Sequence, residues 1–175
     1  LSLPYGRNLN PRQMESRCPT AKIVGTAEIQ DPRLVFRGPW GGAVASIEPC
    51  EGKSVPVLAW ELQPADELSL DRYEGFPRFY GKKDHTVQLN GMPVAAMVYE
   101  MSQGYDMGPP SRYHLRSIHE GYRDAGLDLS ILKDAVDDSL ESMKQGLREK
   151  LYMDEDEYKE QNGLADDMIA LQDDQ

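Results

Sequence analysis

Two short segments carry groups able to act together on a substrate. The first is Leu70-Asp71-Arg72-Tyr73-Glu74-Gly75, where a carboxylate meets glycine at the end of a stretch with helical spacing. Glycine permits a sharp backbone turn after a helix, and the side chain before it is then held at an edge that can face a pocket. The second is Tyr5-Gly6-Arg7-Asn8-Leu9. A glycine among polar residues, just after a short apolar run, can aim backbone N–H groups at an anion. One segment offers a candidate base, Glu74, and the other a candidate anion cradle. Taken alone, a Glu before Gly is more commonly a solvated helix end.

Other reactive side chains form no such constellation. His114 and His119 are five apart, not the three or four that put two ligands on one helix face. His85 falls on a predicted strand without a partner. Neither Cys18 nor Cys50 belongs to a Cys-x-x-Cys pair, and both are read as reduced thiols of a cytoplasmic protein. Ser102 and Ser111 lack a strand–turn–helix elbow, and there is no phosphate-loop motif. No metal or cofactor is expected. Tyr80 and Tyr113 can line a pocket through their hydroxyls or sit half-buried in a core. Asp71 reads better as a cap or structural partner than as a second acid.

The elements that must position Glu74 and the loop follow from turn chemistry and periodicity. Leu1–Leu3 ends a strand. Asn10 caps a short helix begun by Pro11 and closed by Cys18-Pro19. Residues 21–29, 33–36, 43–47 and 55–62 read as strands, with breaks at Asp31-Pro32, Glu48-Pro49 and the turn Glu51-Gly52-Lys53. Pro64 to Tyr73 reads as a helix. Residues 82–89 and 93–99 form a hairpin around Asn90-Gly91. A Gly/Pro-rich loop, 102–110, precedes helices over 111–125 and 128–151. In the last helix Ile131, Leu132, Val136, Leu140, Met143 and Leu147 recur at the required spacing.

Strands first and helices later indicate an α+β domain on a strongly curved sheet or small barrel. The 175 residues suit one domain, read as 1–153, followed by a flexible acidic tail, 154–175. The net charge is −11, of which the tail holds −8, leaving −3 for the rest. A segment so charged and poor in apolar residues cannot offset its own ordering entropy, so it is expected to be dispensable for folding. With no basic stripe interleaved with aromatics, no nucleic-acid partner is expected. No apolar run approaches the roughly 18 residues of a membrane span, and no basic start leads into an apolar signal core.

The chain resembles the gamma-glutamylcyclotransferase superfamily, including the AIG2-like proteins. The likeness rests on Tyr5-Gly6-Arg7-Asn8-Leu9, Arg17-Cys18-Pro19, Leu34-Val35-Phe36, Gly41-Gly42-Ala43-Val44-Ala45, the intact Leu70-Asp71-Arg72-Tyr73-Glu74-Gly75, Tyr80, and Pro110-Ser111-Arg112-Tyr113, in that order. It spans residues 1–132. It implies a small mixed β-barrel with flanking helices, here extended by a C-terminal helix and the tail. It also implies Glu74 at the catalytic position, the Tyr5–Leu9 loop around a small gamma-glutamyl substrate, and Tyr80 and Tyr113 along the pocket. The implied reaction closes the glutamyl group to 5-oxoproline and frees an amine or amino acid. Arg7 stands where the family has a small hydroxyl residue, Pro4 replaces a small residue, and Pro56-Val57 replaces an aromatic-glycine pair. Arg7 and Pro4 flank the cradle, which gives the alternative expectation of a catalytically impaired ligand-binding or protein-interaction module. The sequence fixes neither the leaving amine nor the oligomeric state.

Overall fold

The computed structural model describes residues 1–39 and 41–162. Its order is a 3-10 turn Arg7–Leu9, α1 Pro11–Arg17, β1 Lys22–Arg37, β2 Val44–Glu61, α2 Pro64–Glu74, β3 Tyr80–Leu89, β4 Met92–Met101, α3 Arg112–Asp124 and α4 Leu129–Asn162. The α+β reading holds.

Four expected strands merge into two long ones. β1 and β2 pair antiparallel from Lys22↔Glu61 to Arg37↔Val44, with the register slipping between Gln30 and Pro32. The Asp31-Pro32 break is thus an irregularity inside one ribbon. Asp31 takes a positive φ of 69°, and its Oδ1 accepts the Gly52 N–H at 3.0 Å, so a side chain bridges the ladder where the proline cannot donate. The Asn90-Gly91 hairpin forms as expected, with φ of 51° and 78° at the two turn residues joining β3 to β4.

The two hairpins are joined by the N-terminal segment. Ser2 bridges Trp60 of β2 and Met97 of β4, through Ser2 N–H to Trp60 O and Leu3 N–H to Met97 O, both 2.9 Å. Among the described residues no ladder links β1 to β3, so the sheet does not close, and the barrel implied by the resemblance is corrected to an open arrangement. The two outer edges meet through side chains instead: a Cβ on Gly25 would lie 3.3 Å from Leu89 Cδ1.

The core gathers Leu3, Leu9, Met14, Phe36, Val55, Val57, Leu70, Val98, Ile118, Tyr122 and Leu132, all nearly without solvent contact. Each such large apolar side chain contributes roughly 1.5–3 kcal/mol on burial. α4 joins this core through Leu132 and Ala135, with Ile131 and Val136 packed against it. The predicted stripe then leaves the core, since Leu140 and Leu147 are exposed. The helix itself runs past the 153/154 boundary to Asn162, and the rest of the acidic segment lies outside the described residues. Among the described residues no helix is long and apolar enough to cross a membrane.

Candidate active site

Glu74 is the last residue of α2, one beyond the expected end. Gly75 follows in the left-handed region, φ 64° and ψ 34°. Its N–H bonds Arg72 O, and the next N–H, of Phe76, bonds Asp71 O at 2.9 Å. This pair of bonds satisfies the carbonyls at the helix end and stops the helix. A Cβ on Gly75 would fall 2.6 Å from Phe79 Cδ2, so glycine is needed for space as well as for conformation. Glu74 is thereby held at the rim of a cavity of about 230 Å³.

The opposite wall is the Tyr5–Leu9 loop. Gly6 lies against β2, where a Cβ would come within 3.2 Å of Ala45 Cβ. The chain then makes its 3-10 turn, using Leu9 N–H to Gly6 O and Asn10 N–H to Arg7 O, both 3.0 Å. Those bonds draw on none of the amides of Gly6, Arg7 and Asn8, as at the start of any helical turn. The turn is clamped from behind by α3: Asn10 Nδ2 donates to Ser117 O at 2.9 Å, and Gly121 lets the backbones touch, since a Cβ there would meet Asn10 N at 3.0 Å.

Loop and helix meet in one hydrogen bond, Asn8 Nδ2 to Glu74 Oε1 at 2.7 Å. The amide is oriented by Arg17, whose Nη1 donates to Asn8 Oδ1 at 2.6 Å. Arg17 Nη2 bonds Gln13 Oε1 at 2.9 Å, and its guanidinium lies 3.7 Å from the Tyr73 ring centroid. Gln13 Oε1 also accepts from Arg7 Nη2 at 2.8 Å. Burial pushes the Glu74 carboxyl up to about 7, while the Arg17 charge and the Asn8 amide pull it down without cancelling that effect. A carboxyl balanced near neutrality can both take and return a proton.

The cavity is lined by Tyr5, Gly6, Arg7, Asn8, Glu74 and Tyr80, as the sequence suggested, together with Pro4, Tyr73, Tyr99 and His114, among others. Tyr5 OH donates to Tyr99 O at 2.6 Å and Tyr80 OH to Ala45 O at 2.7 Å, so both rings are fixed, and burial raises both phenols. Two expected residues fall elsewhere. Leu9 is fully buried in the core, and Tyr113 is 67% exposed on α3, outside the lining, with the Arg7 guanidinium 5.1 Å from its ring centroid. Its neighbour His114 takes the inward place. Asp71 is a structural partner: it accepts from Tyr99 OH at 2.6 Å and pairs with Lys82 Nζ at 2.7 Å. His85 bonds Glu100 at 2.5 Å, and Cys18 and Cys50 are both free. The sequence reading missed Gln13 and Arg17 as supports, and Tyr99 and His114 as lining. Only Arg17 carried a signal, its place in the Arg17-Cys18-Pro19 motif.

With this geometry in place, residues 3–122 match the family model described as gamma-glutamyl cyclotransferase, AIG2-like. A Bos taurus protein named gamma-glutamylcyclotransferase is 30% identical over 142 residues, covering 76% of this chain and 75% of that one. The Homo sapiens protein of the same name is 27% identical over 138 residues, 74% of this chain and 73% of its own length. A solved structure named gamma-glutamyl cyclotransferase superposes with a TM-score of 0.70 at 26% identity, over 77% of this chain and 84% of that chain.

Proposed function

The chain belongs to the gamma-glutamyl cyclotransferase, AIG2-like family, and we propose that it cleaves a gamma-glutamyl amide by intramolecular cyclisation, releasing 5-oxoproline and a free amine or amino acid. The observation that carries this reading is Glu74: a carboxyl shifted to about 7, bonded to Asn8 and lining the cavity beside the Tyr5–Asn8 loop.

The chemistry asks for little beyond that carboxyl. The substrate's alpha-amine is already tethered to the side-chain carbonyl that it attacks, so folding the substrate meets most of the entropic cost. Glu74 takes a proton from the alpha-ammonium. The amine nitrogen bonds to the gamma-carbonyl carbon and closes a five-membered ring. The carbon–nitrogen bond to the leaving group breaks as Glu74 returns a proton to that nitrogen. The ring nitrogen's extra proton passes through the same carboxylate to the departing amine, which leaves as an ammonium ion, so the lactam is neutral and the carboxylate is restored. Amides at the start of the 3-10 turn are placed to stabilise negative charge on the substrate. Arg17 and Asn8 hold Glu74 in position without fully ionising it.

The test is release of 5-oxoproline from a panel of gamma-glutamyl amino acids, gamma-glutamyl-lysine and gamma-glutamyl amines. Release of 5-oxoproline with stoichiometric amine from at least one compound is the expected outcome. Saturable binding of the panel with no release would instead make the chain the binding module that Arg7 and Pro4 first suggested.

A further inference from the structure

His114 lines the same cavity as Glu74, yet it belongs to neither of the two segments that define the site. Its backbone N–H is taken by the Ser111 Oγ cap at 3.1 Å. Its ring stands edge-on to Phe36, with centroids 6.3 Å apart and planes at 82°. Its Nε2 is shut off from solvent and has no hydrogen-bond partner among the described residues. The same is true of Nε of Arg7, which lines the same cavity. Arg7 is otherwise well held, by Gln13 Oε1 on Nη2 and by the Tyr113 ring beside its guanidinium. Burial, and then the charge of Arg7, hold the His114 imidazole down at about 4, so at neutral pH it carries one N–H and no net charge.

Most buried polar atoms in native proteins are paired, and each that is not calls for a specific explanation, a water, an ion or a functional role among them. Of the five such side-chain atoms among the described residues, those of Arg7 and His114 belong to residues lining the cavity, and those of Trp60, Ser117 and Tyr122 do not. Here two unpaired nitrogens belong to residues that line one cavity. Arg Nε–H is always a donor, and imidazole Nε2 is a donor in the tautomer that protonates it. A carboxylate offers two acceptor oxygens and gains most from a charged donor beside it.

We propose that Arg7 Nε and His114 Nε2 together grip a carboxylate of the substrate, which makes His114 a specificity-determining residue. The identity of the ligand rests on the cyclotransfer reading; the existence of the gripping pair does not. A gamma-glutamyl amino acid carries two carboxylates, one on the glutamyl alpha-carbon and one on the leaving group, and the experiment separates them.

Calorimetry on the full chain would compare 5-oxoproline with its carboxamide. In a Glu74→Gln background, where turnover is suppressed, it would compare gamma-glutamyl-alanine with gamma-glutamyl-ethylamide. The variants are Arg7→Met, His114→Leu, His114→Phe, which keeps a ring against Phe36, and His114→Gln, which keeps an N–H at the end of the side chain. Only variants with a wild-type melting transition are scored. Loss of a charge-assisted contact should weaken carboxylate binding by about tenfold or more in Arg7→Met and His114→Leu or Phe, with His114→Gln recovering much of it. Weaker 5-oxoproline with unchanged carboxamide assigns the grip to the glutamyl carboxylate. Unchanged 5-oxoproline with weaker gamma-glutamyl-alanine, relative to the ethylamide, assigns it to the leaving group. Equal losses for carboxylate and carboxamide, unchanged affinities throughout, or a wild type that binds none of the carboxylates would overturn the proposal. Carboxylate discrimination in a chain that releases no 5-oxoproline would sink the cyclotransfer reading and leave the pair standing; release without discrimination would do the reverse.

Discussion

Helix α2 carries an acidic residue near each end, and the two ends treat a proton in opposite ways. Asp66, in the first turn, is 3% exposed. Burial raises its pKa, but bonds from the Thr20 hydroxyl (2.6 Å), the Gln63 N–H (3.0 Å) and the Thr20 backbone outweigh that and hold it below its ordinary value. At Glu74, at the other end, burial wins: one amide and one guanidinium oppose it, and the C-terminal end of a helix disfavours negative charge. Burial and the number of donors aimed at a carboxyl together decide its protonation. The end of α2 with its donors satisfied anchors the helix, and the end left short of donors is suited to chemistry.

Removing each carboxyl should separate those roles. Glu74→Gln keeps size and shape but cannot shuttle a proton, so kcat for 5-oxoproline release should fall by about 10²–10⁴. KM should change far less, since the loop and not Glu74 is expected to hold the glutamyl head. Equal rates in the two forms would end Glu74's candidacy.

The pH dependence should show the same contrast. A base that titrates near 7 must be ionised to act, so kcat/KM should fall about tenfold per unit as pH drops below about 7. In stability the sign runs the other way. Glu74's folded pKa lies above its ordinary 4.5, so its contribution is present below 4.5 and lost as pH rises through about 7. Glu74→Gln should therefore melt higher than wild type at pH 8 and close to it at pH 4. A wild type that melts higher at pH 8 would mean the ionised carboxylate is the form the fold prefers.

Asp66→Ala should do the reverse: cost about 0.5–2 kcal/mol at neutral pH, as lost helix caps do, and leave turnover per folded molecule unchanged. Asp66's folded pKa lies below its ordinary 3.8, so its contribution is present above 3.8 and fades as pH falls through the lower folded value. Denaturant titrations at pH 7 and in acid should therefore show a penalty that shrinks in acid, and one that stays constant would mean the ionised carboxylate is not its source.

The subtlest change is to Glu74's supports. Arg17→Met removes a positive charge that favours the ionised carboxyl, so the midpoint of the rate–pH profile should move upward. A midpoint that stays put or moves down would show that Arg17 acts only by orienting Asn8.

Local chemistry made much of this protein legible in its sequence. Asn90-Gly91 dictated a two-residue hairpin, Asn10-Pro11 a helix start, and Glu74-Gly75 a carboxyl at a helix stop, because each depends on conformations that only a few residue types tolerate. The family resemblance implied one site shared by Glu74 and the Tyr5–Leu9 loop, and the structure lines one cavity with Glu74 and residues 5–8 of that loop. Merging four strands into two, leaving the sheet open between β1 and β3, and turning Tyr113 outward and His114 inward depended on packing between segments far apart in the chain. His114 directly follows the Pro110-Ser111-Arg112-Tyr113 motif but is not part of it, and its partners, Arg7 in the cavity and the Phe36 ring that it abuts, lie on other elements. Residue types and spacing settled which groups could take part. Burial and the count of available donors, which exist only after tertiary contacts form, decided that Glu74 holds its proton near neutrality while Asp66 gives its own up.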